Sequence, residues 1–383
     1  MLSKRFSQIL FKKCSFKNTS RSIGVSNCLN DEDNEKKSPL KALLDDAASF
    51  DDARISQVQQ WATLPYLEGT KIRKQGDYFK KAKKDSRDAS IILFPGQGNQ
   101  FVGMGKDLLK FPMLCLEGPK NKLDQTRYCQ PATLVTSLAA VERLKEERPN
   151  AIENCVATAG YSLGEITALI FAGALGFERA LKLVQIRGEA MQLASDVHQG
   201  GMATVLYGPD SKLKYGILKA KEWALEKGAE NPVCEIASYS YPHCKVIAGS
   251  AEALEYLEKN YKQFNLKRIR RLAVSGAFHT NLMDPALKPF IKALEKSEVS
   301  DPVISVYSNV DGKVYRNAEH IRKQLPKQIV KPIKWEQLLH TVYERDPDAY
   351  FPRTFECGPG TSLKTILKQV NAKAWDQCFS VEA

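Results

Sequence analysis

The chain has 383 residues, 43% apolar and 26% charged, with 56 Lys and Arg against 44 Asp and Glu and a formal net charge of +12. That size and balance suit a soluble, enzyme-sized globular chain, and no run reaches the roughly 18 apolar residues of a membrane span. Its nine cysteines include no CxxC pair and no Cys/His cluster at zinc spacing, so neither a disulfide framework nor a bound metal is expected and a reducing compartment fits.

The first thirty residues carry Lys4, Arg5, Lys12, Lys13, Lys17 and Arg21 with several serines and no acid before Asp31, while Leu2, Phe6, Ile9 and Leu10 share one helical face. Residues 1–29 therefore have the composition of an organellar transit peptide; a basic tail that binds something anionic is the other reading. Residues 30–89 are mostly polar and charged and read as an extension or linker. The folded body is expected to begin near Ser90.

From "SIILFPGQGNQ" onward, short β-rich runs alternate with helical patterns, which predicts a mainly parallel sheet flanked by helices. Helices are predicted at Pro131 to Glu146, Leu163 to Leu175 and Glu178 to Ser195. Between Gly201 and Gly276 the order is strand "MATVLYG", helix "DSKLKYGILKAKEWALEKG", strands "VCEIASYS" and "CKVIAGS", helix "SAEALEYLEKNYKQF" and strand "LKRIRRLAVS". That β-α-β-β-α-β order is a ferredoxin-like unit. Strands "VISVYSN" and "YFPRTFECG" then alternate with helices from about Asn281, Pro332 and Gly360, as if the first fold resumes. An α/β core of 90–197 and 277–383, interrupted by a ferredoxin-like subdomain of 198–276, is the expected architecture.

The stretch "GYSLG" sets Ser162 between Gly160 and Gly164 where an apolar run becomes a helix. A nucleophile elbow needs small residues on both sides of a sharp strand-to-helix turn, and the helix starting near Leu163 aims free N–H groups at the serine. A plain strand-to-helix turn would have the same pattern, so the serine needs a base. Of five histidines, His279 alone follows an apolar strand, where α/β folds place catalytic groups; His198, His243, His320 and His340 fall in loops, a turn or on polar helix positions. A structural histidine remains the alternative. Arg187 lies on a helix face with Leu183, Ala190, Met191 and Ala194 and so points inward, where it must meet an internal carboxylate or that of a ligand. Two glycine-rich stretches, "FPGQGNQFVGMG" and "FECGPG", lack the G-K-[ST] of a phosphate loop. They are either simple turns or loops that bring N–H groups to a reacting centre.

In this order, "LFPGQGNQFVGMG", "GYSLGE", "QIRGEAM", "GAFHTNLM" and "FECGPG" resemble the malonyl-CoA:acyl carrier protein transacylases over residues from about 90 to 380, and the basic leader with "ENPVCE" and "KPIKWEQ" resembles the mitochondrial type. The resemblance implies an α/β-hydrolase-like parallel core, an acyltransferase in the mitochondrial matrix serving fatty acid synthesis, and malonyl-CoA and mitochondrial acyl carrier protein as partners. It implies no cofactor, no metal, no nucleic acid and no membrane span. By matching positions it implies Ser162 as nucleophile, His279 as base and Arg187 as clamp for the malonyl carboxylate. The N–H groups of Gln97 and Leu163 would form the oxyanion hole, the carbonyl of Lys331 would orient His279, and Phe278 would favour malonyl over α-methyl units. The strip "NLKRIRR" would dock an acidic carrier, or be an exposed edge with no partner.

Two departures stand out: Tyr161 and Asn99 replace the histidine and serine common in bacterial relatives, and "GKDLLKFPMLCLEGPK" lacks about one helix found in relatives. The alternatives are a serine hydrolase and a catalytically weak, carrier-binding variant.

Overall fold

The computed structural model describes residues 87–106, 112–344 and 349–383. The leader, nearly all of the 30–89 extension and positions 107–111 of the shortened stretch lie outside the described residues.

Five parallel strands form the first sheet in the order β7-β2-β1-β8-β9: β1 (Ser90–Phe94), β2 (Cys155–Gly160), β7 (Ser305–Val306), β8 (Arg353–Cys357) and β9 (Cys378–Val381). A parallel strand in mid-sheet is buried on both faces, and "SIILF" of β1 is accordingly apolar almost throughout. Its side chains alternate. Ile91 and Leu93 join a core cluster with helices α7 (Trp335–Val342) and α8 (Ser362–Val370), whereas Ile92 and Phe94 join one with α1 (Thr126–Glu147), α2 (Leu163–Phe171), α3 (Phe177–Val197) and α6 (Asp284–Glu295).

The second sheet, antiparallel in the order β4-β5-β3-β6, contains β3 (Gly200–Tyr207), β4 (Cys234–Tyr241), β5 (Cys244–Ser250) and β6 (Leu266–Arg271). Helix α4 (Leu213–Glu226) follows β3 and α5 (Ala251–Asn260) follows β5, which makes the ferredoxin-like pattern. The same two-residue period divides this sheet: Val205 and Ile247 pack with Leu254 and Leu257 of α5, whereas Met202, Val246 and Ala248 join the main core. The molecule is thus an α/β-hydrolase-like parallel core with an inserted ferredoxin-like subdomain.

Three sequence expectations are corrected. Helix α1 begins at Thr126, not Pro131; Pro131 lies inside it, and the extra turn is held where the Thr126 N–H donates to Gln192 Oε1 at 3.0 Å. The strand read through "LKRIRRLAVS" stops at Arg271: after the Leu272 N–H to Met202 carbonyl bond the chain turns, the Val274 N–H donating to the Leu272 carbonyl at 2.9 Å, although β3 continues to Gly200. His279 consequently sits in a turn and not at a strand end. Strand β9, only four residues long and without a polar alternation, had no sequence signal.

The two sheets meet beside the site. Backbone bonds link Ile333 to β4, from Ile333 N–H to the Ala237 carbonyl and from Tyr239 N–H to the Ile333 carbonyl, both 2.9 Å. The Tyr161 hydroxyl donates to Ser238 Oγ at 2.6 Å, tying the chain just before Ser162 to the inserted sheet.

Candidate active site

Strand β2 ends at Gly160, Ser162 turns, and α2 starts at Leu163. The turn is sharp: Ser162 has φ 52° and ψ −104°, a left-handed backbone that costs a non-glycine residue about 1–3 kcal/mol. Close packing enforces it. A Cβ on Gly160 would stand 1.9 Å from the Gly164 backbone, and one on Gly164 2.2 Å from the Phe94 carbonyl oxygen, so only hydrogen fits at both positions. The Ser162 N–H is held by Asn309 Oδ1 at 2.7 Å, and Asn309 Nδ2 donates to the Gly160 carbonyl at 2.8 Å.

Ser162 Oγ lies 3.0 Å from His279 Nε2. His279 is buried and is held by the short 3₁₀ turn Leu325–Ile329: its N–H donates to the Ile329 carbonyl at 3.1 Å and its Nδ1–H to the Gln328 carbonyl. A carbonyl can only accept, so Nδ1 carries the proton and Nε2 presents its lone pair to the serine. Burial, and then the positive charge of Arg187, lower the imidazole's pKa to about 3, which keeps it neutral at physiological pH. The carbonyl that orients His279 therefore belongs to Gln328 and not to Lys331. The end of the 3₁₀ turn leaves its last carbonyls without helical donors, whereas Lys331 is exposed and lies past the turn where the chain runs on to pair with β4.

Arg187 is 1% exposed, as its helix face predicts. Its Nη2 donates to Ser162 Oγ at 3.1 Å and to Gln328 Oε1 at 2.7 Å, while its Nε is buried without a partner among the described residues. No carboxylate among the described residues forms an ion pair with it. Burial lowers its pKa to about 10, so the cation persists at neutral pH. The nearest compensating charge is Glu165, whose Oε2 accepts from Gln328 Nε2 at 2.9 Å and whose Oε1 accepts from the Tyr315 hydroxyl at 2.6 Å and the Asn309 N–H at 3.0 Å. Burial raises the Glu165 carboxyl to about 7 against the lowering effect of these bonds and of Arg187.

The glycine-rich loop after β1 closes the other side. Gly96 abuts the Tyr161 carbonyl, where a Cβ would come within 2.5 Å, and the Gln97 side chain is tethered to Thr126 Oγ1 at 3.2 Å and to Gln130 Nε2 at 3.4 Å. The backbone N–H groups of Gln97 and Leu163 have no hydrogen-bond acceptor among the described residues. The shortened stretch is fastened to this loop by the Gly103 N–H to Cys115 carbonyl bond of 2.7 Å. Phe278, next to His279, is 4% exposed and packs in the main core. Among the described residues, no group of three or more His, Cys, Asp or Glu is placed to hold a metal.

Sequence reading had paired Ser162, His279 and Arg187 and had missed Gln328, Asn309, Glu165 and Tyr315. Two of these had a signal: Glu165 is the one charge in the apolar helix "LGEITALIF", and Asn309 follows a strand end at the sheet's carboxyl edge. Gln328, in a 3₁₀ turn, had none.

The acyl transferase domain family matches residues 113–351, more than half of the chain, and a Drosophila melanogaster protein named "Probable malonyl-CoA-acyl carrier protein transacylase, mitochondrial" is 57% identical over 317 residues, 78% of this chain and 84% of that one. The chain belongs to the malonyl-CoA–acyl carrier protein transacylase family. The human family member, "Malonyl-CoA-acyl carrier protein transacylase, mitochondrial", is 48% identical over 76% of this chain and 80% of its own. Among solved structures, the malonyl CoA-acyl carrier protein transacylase of Coxiella burnetii superposes with a TM-score of 0.67 at 28% identity, over 78% of this chain and 95% of that one. The 317 matched positions exceed what 78% of 383 residues can supply, so the Drosophila relative carries residues within the matched span that this chain lacks.

Proposed function

We propose that this acyltransferase moves a malonyl group from malonyl-CoA to the phosphopantetheine thiol of an acyl carrier protein, and that it does so in the mitochondrial matrix on the mitochondrial carrier for fatty acid synthesis. One observation carries the chemistry: Ser162 Oγ is touched at once by His279 Nε2 and by Arg187 Nη2, and that guanidinium forms no ion pair with a carboxylate among the described residues. A base that removes the serine proton and a cation held ready beside the nucleophile suit an acyl group that carries a carboxylate.

In the first half-reaction His279 Nε2 takes the Ser162 proton, Oγ attacks the thioester carbonyl, and the oxyanion is met by the N–H groups of Gln97 and Leu163 at the N-terminus of α2. Collapse breaks the C–S bond, and the thiolate of CoA leaves with the proton from His279. In the second, His279 takes the proton of the carrier thiol, whose sulfur attacks malonyl-Ser162; the C–Oγ bond breaks and Ser162 Oγ leaves with the proton from His279. Thioester is exchanged for thioester, so no energy source is needed. Arg187 holds the malonyl carboxylate through both halves, and Phe278 disfavours an α-methyl group by about 1–3 kcal/mol.

Docking of an acidic carrier is supported by Lys267, Arg268 and Arg270, exposed on the sheet edge β6, from which the chain runs directly to Phe278 and His279. Replacing these three with alanine is expected to slow transfer to the carrier severalfold at low salt and to leave acylation by malonyl-CoA unchanged. Intact mass after mixing with malonyl-CoA, with Ser162→Ala alongside, tests the function. A malonyl adduct on Ser162 that discharges to carrier supports it; discharge to water at the same rate would assign a hydrolase instead, and carrier binding with no adduct a non-catalytic binding module.

A further inference from the structure

The mechanism leaves the buried carboxylate beside the site without a task. Glu165 lies in the first turn of α2, fully buried, and makes no ion pair among the described residues. Between it and Arg187 stands the Gln328 amide. Gln328 Nε2 donates to Glu165 Oε2 at 2.9 Å and to the Ser162 carbonyl at 2.9 Å, and Gln328 Oε1 accepts from Arg187 Nη2 at 2.7 Å. A carboxylate only accepts and a guanidinium only donates, so this chain has a single sense. With Glu165 ionised, Gln328 must turn its nitrogen to Glu165 and its oxygen to Arg187.

We propose that Glu165 is the counter-charge and positioning residue of the acyl clamp, acting on Arg187 through the Gln328 amide instead of by a direct ion pair. The assignment deepens the function proposed above and depends on Arg187 holding the malonyl carboxylate. An isolated buried guanidinium is strongly disfavoured, and a carboxylate directly upon it would relieve that cost. It would also fill the fork that a substrate carboxylate needs for a bidentate bond. Setting the negative charge one amide away offsets the burial of the cation and leaves its Nε without a partner among the described residues. The other oxygen of the same carboxylate, Oε1, holds the Asn309 N–H at 3.0 Å, and the Asn309 side chain holds the Ser162 N–H at 2.7 Å. One carboxylate thereby aligns the clamp and the elbow.

The test relocates the charge. Glu165→Gln removes it; Glu165→Gln combined with Gln328→Glu keeps the shape and net charge but puts the carboxylate directly on Arg187. Steady-state kcat and KM for malonyl-CoA and for acetyl-CoA, which lacks the distal carboxylate, are compared with melting temperatures. Glu165→Gln is expected to raise the malonyl-CoA KM and to cut the preference for malonyl over acetyl roughly ten- to a hundredfold, the weight of a charge-assisted hydrogen bond. Acetyl transfer, which shares the elbow but has no carboxylate for Arg187 to hold, should fall less than malonyl transfer. The double variant loses the Gln328 Nε2 bond to the Ser162 carbonyl and should melt somewhat below the wild type, keep acetyl transfer better than malonyl transfer and lack the preference. Tyr315→Phe, a milder change that removes one donor from Glu165, should shift the ratio in the same direction by a few-fold and serves if the others do not fold. A double variant that keeps the malonyl preference, or equal losses for both substrates in Tyr315→Phe, overturns the proposal. A wild-type chain that takes no malonyl group on Ser162 overturns the function beneath it, which is a different result.

Discussion

Arg187 keeps its charge because its lowered pKa, about 10, still lies well above neutrality. The cation is present below that value and lost above it, and the Glu165 carboxyl that backs it is ionised above about 7, so the preference for malonyl-CoA over acetyl-CoA should be constant from about pH 8 to 9, fall as pH passes 10 and fall again as pH drops through 7, read as the ratio of the two adducts on Ser162. Arg187→Ala should remove the preference at every pH while Ser162 still takes an acetyl group. His279 behaves oppositely to a free imidazole. Its pKa of about 3 lies below the ordinary value of 6.5, so between those values the unfolded chain binds a proton that the folded chain refuses. This group therefore costs stability as pH falls from about 6.5 toward 3. Acetylation of Ser162 should accordingly show no loss centred on pH 6.5, and a limb there would contradict a buried, neutral base.

At the scale of elements, the elbow depends on two hydrogens. The Cβ of alanine at Gly160 would collide with the backbone of Gly164 at 1.9 Å, a contact that no side-chain rotation can relieve. Gly160→Ala should cost about 3 kcal/mol or more, seen as a lower denaturant midpoint, and abolish acylation even in the fraction that folds. These glycines, the serine and the helix after them were legible because sterics act within a few residues. The inward turn of Arg187 was legible from the 3.6-residue period of its helix. What holds them was not: Gln328 reaches Ser162 across 166 residues of chain, and Asn309 across 147. Nothing local marks a glutamine in a 3₁₀ turn as the holder of a histidine, and the carbonyl expected at Lys331 failed for that reason. Likewise, "LAVS" has strand composition, but β6 ends at Arg271 because the chain turns there, the Val274 N–H donating back to the Leu272 carbonyl.

At the scale of the whole molecule, the alternation of apolar runs with helical periods was sufficient to separate the parallel core from the ferredoxin-like insert, since the two differ in their sequence of elements, although it missed β9. The contact between them lay beyond such patterns. Tyr161, which stands where bacterial relatives commonly have histidine, reaches across to Ser238 of the insert and packs edge-on against Trp335 at 5.3 Å between ring centres. Tyr161→Phe keeps the ring contact and removes the bond. It should lower stability by about 1 kcal/mol by chemical denaturation and slow acylation modestly, because the bond anchors the residue beside the nucleophile.

The most direct measurement mixes the protein, trimmed of residues 1–29, with malonyl-CoA in the absence of carrier and records the intact mass and peptide map, with Ser162→Ala in parallel. A single malonyl adduct on Ser162, absent from the alanine variant and discharged by carrier faster than by water, is the predicted result. A folded, soluble wild-type sample that gains no mass would contradict it.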